Sequence, residues 1–398
     1  MAALDELADW QQKLALAGGC TVPGLLVRVG GAAVPNPLQV LAYGTAVIAA
    51  AFILAWACEA AQVDVANGLV VAVVAFVAIL PEYIVEVHFA FVGHAEYVTA
   101  NLTGASRLLL GFCVSMPALV ALLPARWRPP RVGALKLDDQ HRIELAVLAV
   151  AAVWSLRAVV VGHLTALDSV VLISMYALYL KLTATAGGEA PAPVGVPAQL
   201  AALPRPQRRR LVRALMGYAA FVILLTAVPF GNAVLGTGAM VGISPYLLLQ
   251  WLVPIATEMP ELIVAFVLLV HGRGGQSVAV LIAGAVSQYT LALGTLPLAY
   301  HAGAGVGPLP LQSREQLELF LTVAIALYAT AALIRLTLSR ADAAIMLGLF
   351  AGQFLLPTVF TRFVIALVFA ALAIDILVAE RRQVPRLLSS LWPVPRRA

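Results

Sequence analysis

The chain has 398 residues, 62% of them hydrophobic and only 11% charged, with a mean hydropathy of +0.95. No soluble domain of ordinary composition approaches these values, so the sequence reads as a polytopic membrane protein in contact with a lipid bilayer. The formal charge of +5 would suggest nucleic acid in a soluble protein, but here the basic residues sit in loops between apolar runs, and no nucleic-acid partner is expected.

In chain order, residues 1–38 read as a short amphipathic lead-in ended by Pro35 and Pro37, without the basic, apolar and small-residue regions of a secretory signal. Apolar runs of about 20 residues, enough to cross roughly 30 Å of hydrocarbon, follow at 39–61, 68–92, 98–124, 142–161 and 166–186. A polar break at 187–209 holds Gly187, Gly188, prolines from Pro191 to Pro206 and the run Arg208-Arg209-Arg210. The second set lies at 210–231, 244–271, 276–301, 316–338 and 341–357, and an extra span at 358–380 precedes a basic tail. The predicted fold is therefore all-α, with about eleven transmembrane helices. Its divisions are a lead-in (1–38), a first repeat (39–186), a linker (187–209), a second repeat (210–357), and an extra helix with tail (358–398). Cys20, Cys58 and Cys113 are too few and too scattered for a disulfide framework.

Basic residues follow the odd-numbered spans: Arg126, Arg128, Arg131, Lys136 and Arg142, then Arg205 to Arg213, then Arg340, then Arg381, Arg382 and Arg386. By the positive-inside rule that side is cytoplasmic, which puts the N-terminus outside and the C-terminus inside an inner membrane. Arg314 and Arg362 are the main exceptions. Leu167-Asp168-Ser169-Val170-Val171-Leu172 in the fifth span matches Ala341-Asp342-Ala343-Ala344-Ile345-Met346 in the tenth. Five spans per copy is an odd number, so the copies are inverted across the membrane, as in secondary transporters whose sites lie at the midplane.

The second span of each half carries a Pro-Glu pair, Pro81-Glu82 and Pro260-Glu261, followed by a turn with Gly and His at Gly93-His94 and His271-Gly272. A carboxylate at mid-bilayer costs roughly 3 kcal/mol on insertion scales and persists there with a partner or a task. Proline frees a backbone carbonyl that a hard cation can use. Glu86 lies one turn beyond Glu82, and Glu258 precedes Glu261 by three residues, so four carboxylates can converge. At such spacing they cannot all stay ionised without bound cations, which ties proton binding to metal binding. Glu86, His88, His94 and Glu96 read equally well as residues of a span end. The next span of each half adds Asn101, Thr103, Gly104 and Ser106 in one copy and Gly284, Ser287, Gln288, Tyr289 and Thr290 in the other. Arg107 falls roughly ten residues into its span and is expected either to pair with Glu82 or Glu86 or to reach an aqueous cavity.

These residues resemble the sodium/calcium exchanger membrane-region family of the cation/Ca²⁺ exchanger superfamily. That family repeats Gly-Thr-Ser-x-Pro-Glu in the second span of each half and Gly-Asn-x-x-Gly-Ser-Asn in the next. Ala256-Thr257-Glu258-Met259-Pro260-Glu261 keeps Thr257, Pro260 and Glu261; Val77-Ala78-Ile79-Leu80-Pro81-Glu82 keeps Pro81 and Glu82; Ala100 to Ser106 keeps Asn101 and Gly104. The resemblance implies an inverted-repeat antiporter whose cation is held by Glu82 and Glu261. Glu258 and Glu86 are then second ligands or proton carriers, with neutral oxygens from Asn101, Thr257, Ser106 and Gln288. Positions that build sodium sites in the family are apolar here (Ala78, Ile79, Ala105, Ala285), and Glu258 stands where the family has Ser. Both changes favour protons as the coupling ion.

The sequence thus predicts a secondary active antiporter exchanging Ca²⁺ or another cation against H⁺ or Na⁺, with inorganic cations as its partners and no cofactor beyond them. The alternative is a non-transporting membrane protein of the same fold whose ion sites are lost. A membrane-embedded hydrolase is the weaker rival, since Glu82, Glu86 and His88 lack the His-Glu-x-x-His spacing. Oligomeric state is not legible.

Overall fold

The computed structural model describes residues 2–30, 34–64, 79–120, 135–186, 193–305 and 307–392. The first part of the second predicted span, Val77 and Ala78 of its motif, the end of the third span, Arg126, Arg128, Arg131, Gly187, Gly188 and Pro191 lie outside those residues.

The described chain is almost wholly helical, which is what hydrocarbon demands: with no water to bond, backbone groups must be satisfied within each segment. The helices are α1 (Ala2–Gly30), α2 (Asn36–Gln62), α3 (Leu80–Phe91), α4 (Ala95–Arg107), α5 (Met116–Val120), α6 (Arg142–Val161), α7 (Ala166–Ala186) and α8 (Val196–Ala201). They continue as α9 (Arg205–Val241), α10 (Pro245–Val270), α11 (Gly274–Ser287), α12 (Leu293–Ala304), α13 (Ser313–Ala332), α14 (Arg340–Leu355), α15 (Val359–Ala379) and α16 (Val384–Ser389). Two π-helical segments, Leu108–Cys113 and Gln288–Ala292, continue α4 and α11.

Ten helical stretches among the described residues are long and apolar enough to cross a membrane. Nine coincide with predicted spans; the tenth, Trp10–Gly30, falls in the predicted lead-in. That stretch is one 29-residue helix running through Pro23, not a short one. Within the predicted linker, α8 forms after Gly195, whose φ of 69° only glycine adopts easily. The tenth predicted span is α14, 16 residues long.

The chain divides into two compact units: residues 1–88 with 189–260, and residues 89–188 with 261–398. In the first, α1, α2, α8 and α9 pack together through small residues. A Cβ on Gly24 would come 2.6 Å from Ala46 Cβ, and one on Gly44 would come 3.0 Å from the Phe230 ring. Trp10, Ala57, Ala60, Val196, Leu200 and Val212 form a buried apolar cluster here. At its edge Asp64 receives Arg208 Nε at 2.8 Å and Nη2 at 2.7 Å. These hydrogen bonds, with the charges of Arg208, Arg209 and Arg205, hold the Asp64 carboxyl below its ordinary range against the opposing effect of burial.

The second unit displays the repeat directly. Trp154 Nε1 donates to Asp168 Oδ1 at 3.1 Å, and Tyr328 Oη donates to Asp342 Oδ1 at 3.1 Å, an offset of 174 residues. The same offset takes the pairing of His163 with Pro310 in the short antiparallel strands β1 (His163–Leu164) and β2 (Leu309–Pro310) onto the bridge between Lys136 and Thr337. It also takes the bond from Leu311 N to Gly162 O (2.9 Å) onto that from Leu137 N to Leu336 O (2.8 Å). Gly162 has φ 78°, and Leu336, at φ 60°, shares that left-handed conformation despite its side chain. The turns after the Pro-Glu helices match too. Gly93 N and His94 N bond to Ala90 O and Phe89 O, and Gly272 N and Arg273 N bond to Leu269 O and Leu268 O. Both are Schellman closures with glycine at positive φ.

Candidate metal centre

α3 begins at the first Pro-Glu pair, with Pro81 in its opening turn, where a missing N–H costs nothing. α10 instead carries Pro254 and Pro260 inside the helix. Each proline there removes a bond to the carbonyl four residues back, which leaves the Gln250 and Ala256 carbonyls without their usual helical donors. Both prolines lie within about one turn of Glu258 on that same helix.

Glu82, 5% exposed, and Glu258, 3% exposed, are buried. One carboxylate oxygen of each lies within 4.8 Å of the other's. Two carboxylates this close in a low dielectric repel one another, so a cation or a proton between them relieves the charge. Glu261 is half-buried and follows Glu258 by one turn on the same helix, with carboxylate oxygens again within 4.8 Å. A set of hard oxygen donors with this spacing fits a Ca²⁺-like cation, which takes carboxylate and carbonyl oxygens in flexible geometry.

The remaining predicted ligands are buried but less directly engaged. Glu86 lies one turn after Glu82 and is 1% exposed. Thr257 Oγ1 donates to Val253 O at 3.2 Å, so its hydroxyl is oriented by its own helix. In the second unit Asn101 and Ser106 are buried on α4, five residues apart and hence well separated around the helix. Gln288 is buried at the start of the second π segment.

Arg107 corrects an expectation. The counter-ion predicted at Glu82 or Glu86 is found at Glu318 on α13, 2.7 Å from Arg107 Nη1, with both side chains fully buried. Arg107 Nη1 also donates to Gln353 Oε1 at 2.8 Å and Nε to Thr103 O at 2.8 Å. The other Glu318 oxygen takes Arg362 of α15, so one carboxylate bridges two guanidinium groups inside the membrane. Glu318, absent from the candidate residues above, is a single acid near the start of its predicted span, and Arg362 is one of the two exceptions to the charge asymmetry.

Comparison with known proteins places the chain in a class. The family of sodium/calcium exchanger proteins matches residues 37–184 and 212–359, both halves of the duplication. The chain belongs to that family, whose members are transport proteins rather than catalysts. Among solved structures it is similar to the H⁺/Ca²⁺ exchanger CAX, with 34% identity over 97% of this chain and 98% of that one and a TM-score of 0.91. YfkE (15% identity, 91% and 99% coverage, TM-score 0.60) and the sodium-calcium exchanger NCX_Mj (16% identity, 86% and 99% coverage, TM-score 0.54) share the fold. A search of curated protein sequences gives no match.

Proposed function

We propose that this protein is a secondary active antiporter that exchanges Ca²⁺ against H⁺ at a midplane carboxylate site. The observation that carries the reading is the group of Glu82, Glu258 and Glu261, with one carboxylate oxygen of each within 4.8 Å of the others. Glu82 and Glu261 supply the principal cation oxygens. Glu258, Glu86 and the neutral groups of Thr257, Asn101, Ser106 and Gln288 complete or tune the site. When Ca²⁺ leaves, the carboxylates cannot remain together ionised in a low dielectric, and protons replace it. Occupancy by cation or by protons then decides which inward- and outward-open states interconvert, which is alternating access.

Two features support protons over sodium. Glu258 adds an ionisable ligand, and the buried side chains of Ile79, Ala105 and Ala285 offer no oxygen to a sodium ion. The similarity to an H⁺/Ca²⁺ exchanger over nearly the whole chain points the same way. The basic residues after α9 begins and after α15 ends support a cytoplasmic side for those ends of an inner-membrane protein, with the start of α2 outside.

The reading is tested by Ca²⁺ uptake into proteoliposomes under an imposed pH gradient. Glu82→Gln and Glu261→Gln are each expected to lower uptake by roughly a hundredfold or more, in line with losing a metal-site group. Uptake that survives both substitutions together sinks the reading.

A further inference from the structure

The first nine residues of α9 carry five arginines and no acid. Arg205, Arg209 and Arg213 follow one another at intervals of four residues, so they share one face of the helix, and all three are exposed. The helix has 37 residues, about 55 Å at 1.5 Å per residue against roughly 30 Å of hydrocarbon, and the arginines mark the end that projects into the headgroup layer. Trp10 of α1, in one buried cluster with Val212, fits that level, where membrane proteins concentrate their indoles. The same face continues through Gly217 to Phe221 and Leu224, both exposed along the apolar part of the helix. A stripe of guanidinium groups therefore runs straight into lipid-facing surface.

Arg208, set among these residues in sequence, is fully engaged. Its Nε and Nη2 donate to the two oxygens of Asp64 at 2.8 and 2.7 Å, and its Nη1 donates to Ala201 O at 2.6 Å and Leu203 O at 3.1 Å. One fork thus satisfies both oxygens of Asp64 and matches its charge. Arg205 Nε and Arg209 Nε nevertheless stand 3.4 and 3.6 Å from Asp64 Oδ1, drawn there by charge and not by a hydrogen bond. The two Nε atoms are accordingly no more than about 7 Å apart, the sum of those distances. Their side chains are 66% and 47% exposed, and neither donates a hydrogen bond to another described residue. A phosphate group that takes an N–H on each of two oxygens, at about 2.8 Å each, fills a gap of that size.

We propose that this stripe is a docking site for an anionic phospholipid, with Arg205 and Arg209 clamping the headgroup phosphate, Arg213 beside it, and the acyl chains lying along Gly217, Phe221 and Leu224. A zwitterionic headgroup brings its own cation against the arginines, so the site selects lipids of net negative charge. A soluble phosphate lacks the chains that the apolar face receives. Asp64 repels the headgroup, but Arg208 offsets that charge and leaves the other arginines to the lipid. The proposal does not depend on which ions the protein exchanges.

The test is calorimetric titration of the full-length protein, held in an uncharged detergent, with dioctanoyl phosphatidylglycerol, dioctanoyl phosphatidylcholine and glycerol phosphate in turn. Phosphatidylglycerol is expected to bind, more weakly as salt is raised, with the other two at least about tenfold weaker. Arg205→Gln combined with Arg209→Gln is expected to lower the affinity for phosphatidylglycerol by about thirtyfold, while Arg208 keeps its fork on Asp64. If that double variant does not fold, Arg213→Gln serves, with an expected loss of about fivefold. Equal binding of the two lipids overturns the proposal, as does an affinity for phosphatidylglycerol that the substitutions leave unchanged. Glycerol phosphate binding as tightly as phosphatidylglycerol overturns it too, since the site would then take a free phosphate and not a lipid.

Discussion

At the scale of single residues, buried charge decides what each side chain can do. Removing one member of a buried ion pair strands the other, which costs about 3–5 kcal/mol. Glu318→Gln leaves Arg107 and Arg362 together without their carboxylate, so we predict a loss of stability of that order, read as a large fall in the thermal unfolding temperature in detergent. Glu144→Gln, at a carboxyl whose Oε2 has no hydrogen-bond partner among the described residues, is expected to shift unfolding far less, and equal shifts would contradict the cost assigned to stranding the two arginines. The Pro-Glu carboxylates were legible in the sequence because the same dipeptide recurs in matching spans. Glu318 was not, because a single acid carries no repetition and its two arginines come from spans far away in the chain.

At the scale of elements, the repeat lives in hydrogen bonds more than in residue identity. Trp154 and Tyr328 differ, as do Thr165 and Ser339, yet each donates to or caps the same aspartate position. Sequence comparison therefore caught the aspartates and missed their partners. Gly162 holds φ 78°, and a Cβ there would meet Gln316 Nε2 at 2.5 Å. We expect Gly162→Ala to destabilise by about 1–2 kcal/mol, measurable as a lower midpoint of thermal unfolding. The lead-in is more than a short segment: its residues run on through Pro23 into one 29-residue helix that packs on α2. Beside that packing, Asp64 titrates below the ordinary carboxylate range because Arg208 favours its charged form. A depressed acid contributes stability that is present above the unfolded value and lost as pH falls through the folded one. Wild-type protein should therefore lose stability as pH falls below about 4, and Asp64→Asn should lack that component in melts recorded across the same pH series.

At the scale of the whole molecule, nine of the eleven predicted spans stand as long apolar helices because hydropathy over about 20 residues is a strong signal. The tenth predicted span escapes it because α14 is only 16 residues long, and the second begins outside the described residues. Family membership and the duplicated Pro-Glu helices agree on a protein that moves cations. Which ion drives the exchange turns on the carboxylates around Glu258. The most direct test is simultaneous recording of Ca²⁺ entry and proton exit in sodium-free proteoliposomes. The account predicts that the two fluxes appear together and vanish together in Glu82→Gln. Ca²⁺ entry that needs Na⁺, or that proceeds with no proton movement, would contradict it.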